Sequence, residues 1–440
     1  MTAEGPTFEI TDRALDPATG EASFSYRSGG DEFTERLTLP ALPFTASPAV
    51  DAALDLVHLL MGTSYYKLRA PGRIRVHRPA TKAQLAAAEA AYGPGLGEFA
   101  AVNRLPLPHQ VSWDAGLREP GSAPAAGTAG ALLPVGGGKD SALALVVVPG
   151  ATALAVNPTE AQRLVADAAG VPLLGVRRRM DPLLHTRTAE GGLNGHVPIT
   201  AINSAISVLV AVLGGFDPVV FANERSADEE TLVVDGVPVN HQYSKSFAFE
   251  RLFAAAAAEI GVGYFSLTRQ LSELATVAAV AALPLKASIL SCNRSYTQQH
   301  MGLRDGGRAV QRWCLHCDKC LFTYLCFAVF LTPDEARQMF GGDPLADPAL
   351  VEGFRVLWAT DKPFDCVGER AESAAAMAAL ARSTAWGSYP VVRALGAEAA
   401  AFAGGVTVES FLAPRGEHAV PPRYADALAA ALAAARRPVA

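Results

Sequence analysis

The stretch Leu132-Leu133-Pro134-Val135-Gly136-Gly137-Gly138-Lys139-Asp140-Ser141 sets three adjacent glycines before an ammonium, a carboxylate and a hydroxyl, and a second apolar run follows from Ala142 to Val148. A strand that ends in glycines and restarts as a helix leaves its first backbone N–H groups without intrahelical acceptors. Glycine lets the main chain take positive φ and come close to a bound anion. Lys139 adds a point charge, and Asp140 or Ser141 can cap the helix start. Together these residue types make a phosphate cradle. A Walker loop needs Gly-x4-Gly-Lys-Ser/Thr, whereas here Asp140 follows Lys139, and a dinucleotide fingerprint needs glycine where Ser141 stands. The plain alternative is a glycine-rich turn that holds no ligand.

The cysteines form a second constellation. Cys314-x2-Cys317-x2-Cys320 places three thiols in seven residues, and Cys292 lies twenty-one intervening residues upstream. Four thiolates at such spacing suit tetrahedral Zn²⁺ in a closed structural site. His316 is a substitute ligand, less suited because it lies between two cysteines. The competing reading is buried free thiols. Cys326 and Cys366 read as core residues.

Polar runs supply the remaining chemistry. They are Arg177-Arg178-Arg179, Gly191 through His196, Asn223 through Glu230, His241-Gln242-Tyr243-Ser244-Lys245-Ser246, and Ser291 through Tyr296. Any single charged residue among them is usually a solvated one. Several runs mixing Asn, His, Lys and Arg at the strand ends of one sheet suit an anionic, polar substrate.

Elements must hold these groups in place. Leu132–Val135, Thr152–Asn157, Val171–Val176 and Pro218–Ala222 read as strands. They alternate with helices at 158–170, 200–213 and 250–261, which predicts an α/β fold with a parallel sheet covered on both faces. Ligands in such sheets bind beyond the carboxyl ends of the strands. Upstream, Phe8–Thr11, Ala22–Tyr26 and Phe33–Leu39 alternate as a meander, followed by helical spacing over 49–61, a strand at Arg73–Val76 and a helix over 80–92 capped by Thr81. The expected organisation is an N-terminal α+β domain over 1–115 without a catalytic signature, a Gly/Ala/Pro/Ser linker near 115–130, a nucleotide-binding domain over 128–330 carrying the four cysteines, and a helical region over 331–440. The last helix, Tyr424 to Arg437, is expected to end on two arginines that suit its dipole.

Composition bounds the partners. With 440 residues, half of them apolar, the chain can bury a large core, and its formal charge of −6 argues against a generic nucleic-acid surface. The first residues lack a basic, apolar secretion signal, and no apolar run approaches the ~20 residues of a bilayer span. Six cysteines, four of them between 314 and 326, do not look like a secreted disulfide framework, so a cytoplasmic protein without membrane partners is expected. The oligomeric state stays open.

The glycine loop resembles, with one substitution, the Ser-Gly-Gly-x-Asp-Ser loop of the ATP pyrophosphatase (PP-loop) enzymes, with Gly136 where that family carries serine. The resemblance implies cleavage of ATP between its α- and β-phosphates, with Mg²⁺ offsetting charge, on an adenine nucleotide alpha-hydrolase-like PP-loop domain. A similar four-cysteine zinc site follows that domain in the deazaguanine nitrile synthases. Across roughly 130–370, a longer series recurs in one family: Gly137 through Ser141, Leu193-Asn194-Gly195-His196-Val197-Pro198, Asn223-Glu224-Arg225-Ser226-Ala227, Asn240 through Ser246, Ser291-Cys292-Asn293-Arg294, Arg312 through Cys320, Lys362-Pro363-Phe364 and Cys366-Val367-Gly368. The set resembles the ATP-dependent UDP-N-acetylmuramoyl-L-alanyl-L-glutamate epimerases of bacterial peptidoglycan synthesis. That resemblance implies conversion of L-Glu to D-Glu in the UDP-muramoyl dipeptide through an acyl-adenylate.

The roles that follow are expectations. Gly136, Gly137, Gly138 and Ser141 hold phosphate, Lys139 lies on the phosphates, Asp140 lies near Mg²⁺, and Asn157 faces the nucleoside. His196, His241 and Lys245 are candidates for proton transfer or carboxylate binding, in no assigned order. Asn223, Glu224, Arg225, Tyr243, Asn293 and Arg294 are candidates for substrate contacts, the two arginines for its anions. The rival readings are another PP-loop adenylating enzyme, a carboxylate amidator or a tRNA thiolase, and a non-catalytic nucleotide-binding regulator with a zinc ribbon. A tRNA enzyme would more usually be basic, and this chain is not.

Overall fold

The structure, a computed structural model, describes residues 6–42, 45–121, 127–292, 313–359 and 367–439. Asn293 and Arg294, with Lys362–Phe364 and Cys366, lie outside the described residues. The strands are β1 (Thr7–Asp16), β2 (Glu21–Ser28), β3 (Asp31–Thr38), β4 (Arg73–Ala80), β5 (Ser112–Leu117), β6 (Leu132–Pro134), β7 (Thr152–Val156), β8 (Leu173–Arg179), β9 (Val219–Phe221), β10 (Leu232–Val234), β11 (Val237–Val239) and β12 (Tyr264–Ser266).

Ten of them form one sheet in the order β12-β9-β6-β7-β8-β3-β2-β1-β4-β5. The run from β12 to β8 is parallel throughout, as the alternation of strands and helices predicts. Successive residues serve opposite faces. Leu133, Ala153, Val220 and Phe265 pack with the helices Lys139–Val147 and Glu160–Ala169, while Leu132, Leu154, Val219 and Tyr264 pack with the helices Ile199–Gly214 and Phe247–Glu259.

The N-terminal strands are not a separate sheet. β3 pairs antiparallel with β8, setting Leu37 opposite Arg178, so the meander extends the parallel sheet. β2 and β3 are joined by Gly29 and Gly30, both at positive φ, which is the two-residue turn that matches strand twist. A buried ion pair ties the seam. Arg178 Nε lies 2.5 Å from Glu35 Oε1, and Arg178 Nη2 donates to Ser64 Oγ at 2.8 Å. The helix Pro48–Met61 packs in the same core as Ile199–Gly214, whereas the C-terminal helices Asp318–Ala328, Val351–Ala359, Arg370–Arg382 and Pro390–Ala403 cover the other face. The sheet therefore lies between an N-terminal layer and a C-terminal layer.

The last helix stops earlier than expected, at Pro422–Ala433. Arg436 lies beyond it and binds the Phe330 carbonyl and Glu335, so an ion pair, not the helix dipole, accounts for that arginine. No described helix is long and apolar enough to cross a membrane.

Candidate active site

The glycine loop leaves β6 and enters the helix Lys139–Val147 through Gly138. Gly137 has φ +85°, and a Cβ there would lie 3.0 Å from Ala161 C and Cβ, so both the backbone angle and the close approach require glycine. Its carbonyl accepts from the Leu290 amide at 2.9 Å, and Ser141 Oγ accepts from the Gly136 amide at 2.9 Å. The loop is thus braced into a fixed shape from both sides.

It opens onto a cleft of about 310 Å³. The walls come from Val135, Gly136, Gly138, Asp140 and Ser141, from the β7 end at Leu154–Val156, and from Phe221 to Glu224 after β9. The opposite rim carries Gln242, Lys245, Glu273, Ser291 and Lys319. The chain winds outward from β6 through β7 and β8, then returns to lay β9 and β12 on the other side of β6. The cleft therefore lies at the topological switch point, beyond the carboxyl ends of the strands.

Lys139 does not lie open to the cleft. Its side chain is 4% exposed, and its ammonium pairs with Glu224 Oε1 at 2.9 Å, with Glu273 Oε2 at 2.5 Å and with Asp140 Oδ1. Burial and the adjacent Glu224 push the Asp140 carboxyl well above its ordinary range. Burial also opposes ionisation of Glu224, but Lys139 and a hydrogen bond from Asp140 outweigh it and hold that carboxyl low. One oxygen from each of Asp140, Glu224 and Glu273 lies within 4.8 Å of the others. Carboxylate oxygens are the ligands a hard divalent cation takes, and three carboxyls around one ammonium leave negative charge for it to balance, so this donor set fits Mg²⁺. Glu224, expected among the substrate contacts, lines the cleft and pairs with Lys139 at the foot of the loop. Glu273 has no local motif around it and was not anticipated.

Arg269, 1% exposed, ties this corner together. It pairs with Glu250 Oε2 at 2.9 Å and donates to the Glu224 carbonyl at 2.9 Å and to the Lys245 carbonyl, so one guanidinium fixes two loops of the cleft. The hairpin β10–β11, turned by Asp235 and Gly236 at positive φ, delivers Asn240 through Lys245 to the same place.

The four cysteine sulfurs lie within 4.8 Å of one another, with Cys314 Sγ and Cys320 Sγ 3.7 Å apart. A disulfide would need about 2.05 Å, whereas tetrahedral zinc with bonds of about 2.3 Å sets its sulfurs roughly 3.8 Å apart. Leu315, between Cys314 and Cys317, takes φ +59°, folding that pair into a tight knuckle before the helix Asp318–Ala328. The residues fit Zn²⁺. The knuckle carries Lys319 to the cleft, and Cys292 follows Ser291 on the rim.

A second cluster, Glu98, His196 and His241, lies outside the cleft lining, with His241 next in the chain to Gln242, which is part of that lining. His241 Nδ1 hydrogen-bonds Glu98 Oε2, and His196 Nδ1 lies 3.8 Å from the same oxygen. The two imidazole centroids are 4.5 Å apart. Burial, then His241, holds the His196 imidazole at about 4, although Glu98 pulls the other way, so it is neutral near pH 7. The His196 loop rests on the N-terminal layer: Lys67 Nζ donates to Asn194 Oδ1 at 2.6 Å, Asn103 Nδ2 donates to the Asn194 carbonyl at 3.0 Å, and Leu193 N donates to the Leu68 carbonyl. The first 115 residues, read from sequence as carrying no catalytic signature, thus supply Glu98, Lys67 and Asn103 here.

Other candidates are placed differently. Asn157, at φ +51°, exchanges two hydrogen bonds with the Arg178 backbone and does not line the cleft. Tyr243 is packed edge-on against Phe249 and is also absent from the lining. Asn223 lines the cleft and donates to Ser266 Oγ at 3.0 Å. Arg225 pairs with Glu369 at 2.8 Å through Nε, while its two terminal nitrogens are buried without a hydrogen-bond partner among the described residues, a state that suits an anion.

Comparison with known proteins gives the family. A profile described as "MurL N-terminal domain" matches residues 1–267, and one described as "MurL C-terminal domain" matches 288–408. A protein of Micromonospora sp. is 39% identical over 96% of this chain and 97% of its own length, and one of Salinispora tropica is 39% identical over 96% and 95%. One of Xanthomonas oryzae pv. oryzae is 37% identical over 94% and 95%. All three are named UDP-N-acetyl-alpha-D-muramoyl-L-alanyl-L-glutamate epimerase. No solved structure matches the chain. With both profiles in register and relatives aligned nearly end to end, the chain belongs to the MurL family.

Proposed function

We propose that this protein epimerises the terminal L-glutamate of UDP-N-acetylmuramoyl-L-alanyl-L-glutamate to D-glutamate, with cleavage of ATP to AMP and diphosphate. The names of the relatives supply the substrate. The observation that supports ATP-driven epimerisation is the run His241–Lys245: Gln242 and Lys245 line the glycine-loop cleft, while the adjacent His241 meets Glu98 and His196. One cleft thus adjoins groups for activation and groups for proton transfer.

The chemistry explains the pairing. An α-hydrogen beside a carboxylate is barely acidic, because its removal builds a dianion. Attack of the carboxylate oxygen on the α-phosphorus forms an acyl-adenylate and expels diphosphate. The acyl carbonyl is then neutral and accepts the electron pair of the broken Cα–H bond. Protonation on the opposite face inverts the centre, and water attack at the acyl carbon releases AMP and the D-glutamyl product.

The loop backbone beyond Gly136, whose own amide is held by Ser141 Oγ, and the Ser141 hydroxyl bind phosphate oxygens, and Lys319 and Lys245 add positive charge on the opposite wall. Asp140, Glu224 and Glu273 would hold Mg²⁺, which when bound offsets charge on the diphosphate. Cys292, Cys314, Cys317 and Cys320 would hold structural Zn²⁺, fixing Ser291 and Lys319 at the rim. The test is isotopic: with ¹⁸O in the glutamyl α-carboxylate, hydrolysis of an acyl-adenylate leaves one ¹⁸O in AMP. AMP free of label would refute the intermediate.

A further inference from the structure

Glu98 lies on the short helix Gly97–Val102, outside every motif of the nucleotide-binding half. Its carboxylate nevertheless meets His241 and His196 together, and all three side chains are mostly buried. The cations near this cluster are Lys67, whose ammonium donates to the Gly195 carbonyl at 3.3 Å beside His196, and Lys245, which donates to Gln242 Oε1 at 3.4 Å beside His241. A carboxylate accepting from Nδ1–H selects that tautomer, leaves the Nε2 lone pair as the base and stabilises the imidazolium formed when it takes a proton. Lys67 and Lys245 favour a bound anion over an added cation, so proton transfer fits this cluster better than metal binding.

We propose that Glu98 is a positioning residue that holds His241 as the Nδ1–H tautomer, so that His241 Nε2 exchanges the glutamyl α-proton on one face. This rests on the epimerase reading above. The Cα–H bond breaks, its electron pair passes into the acyl carbonyl, and the proton rests on Nε2. With ring centroids 4.5 Å apart, His196 stands beside His241 and not across a substrate from it, so both imidazoles address the same face. The opposite face receives its proton from solvent water. Product D-glutamate made in D₂O therefore carries deuterium at its α-carbon.

The experiment uses the full chain with ATP, Mg²⁺ and UDP-muramoyl-L-Ala-L-Glu in D₂O. Diphosphate release and α-deuterium incorporation are measured for wild type, Glu98→Gln, Glu98→Asp and His241→Gln. Glu98→Gln and His241→Gln should lower exchange by about 10²- to 10⁴-fold, the worth of a positioned general base, and lower diphosphate release far less. Glu98→Asp, which keeps the charge, should recover part of the exchange. A parallel fall in exchange and diphosphate release, or no advantage of Asp over Gln, would mean a structural role and overturn the proposal. So would a chelator-sensitive exchange accompanied by a bound metal that Glu98→Gln loses while zinc at the cysteines remains. Wild type that releases no diphosphate would sink the epimerase reading itself, a result distinct from any of these.

Discussion

Replacing Lys139 by Met tests the electrostatics at the foot of the loop. The side chain is buried, and its ammonium is the cation that pairs with Asp140, Glu224 and Glu273 together. Methionine keeps the apolar stem and removes the charge. Removing one partner of a buried ion pair typically costs about 3–5 kcal/mol, because the remaining charge is left uncompensated. The loss should appear in urea unfolding at pH 7 without divalent ions. A cation held by the three carboxylates should restore part of it, about 2.7 kcal/mol at a concentration 100 times its dissociation constant. Protonation offers the same relief, so the deficit relative to wild type should shrink as pH falls toward 5. A Lys139→Met protein as stable as wild type, or one indifferent to MgCl₂, would refute both the burial argument and the cation site.

Other perturbations read separate parts of the structure. Cys317→Ser should remove bound zinc and weaken ATP binding by about ten- to a hundredfold, since displacement of Lys319 loses one charge-assisted hydrogen bond worth ~1.5–3 kcal/mol; metal analysis with calorimetry checks both. Gly137→Ala forces a side chain to φ +85° against Ala161, a left-handed penalty of about 1–2 kcal/mol before any clash. It should weaken binding of a non-hydrolysable ATP analogue while zinc content stays at the wild-type level. Burial holds the His58 imidazole at about 4 from its ordinary 6.5, despite its hydrogen bond to the Ser25 carbonyl. The native state thus favours neutral His58, and stability falls as pH drops from 6.5 toward 4, by about 3 kcal/mol for this group. Urea unfolding between pH 7 and 4.5 should show a flatter dependence in His58→Gln.

What the sequence reveals and what it hides divide along locality. The glycine loop and the Cys314-Cys317-Cys320 knuckle are legible because their chemistry depends on neighbours within a few residues. The meander β1–β3 is legible from alternation, but its pairing with β8 is not, because periodicity names a strand's faces and not its edge partner. The surroundings of Lys139 are hidden for a similar reason. Glu224 is 85 residues away, and nothing local says that its carboxylate turns inward to meet the lysine. Glu98 reaches His241 across 143 residues from a helix of only 6 residues, too short to show a pattern. Asn157, expected to end its strand, lies just beyond β7 at positive φ, and its amide closes the β7–β8 edge, a use that sequence position alone does not distinguish from nucleoside binding.

The proposed function couples two events in one cleft, ATP cleavage and inversion at the glutamyl α-carbon. Protein incubated with UDP-N-acetylmuramoyl-L-alanyl-L-glutamate, ATP and Mg²⁺ is assayed for AMP, diphosphate and the chirality of the released glutamate. D-glutamate should appear only when ATP is present, together with AMP and diphosphate. D-glutamate formed without ATP, or AMP formed while all glutamate stays L, would contradict the coupling.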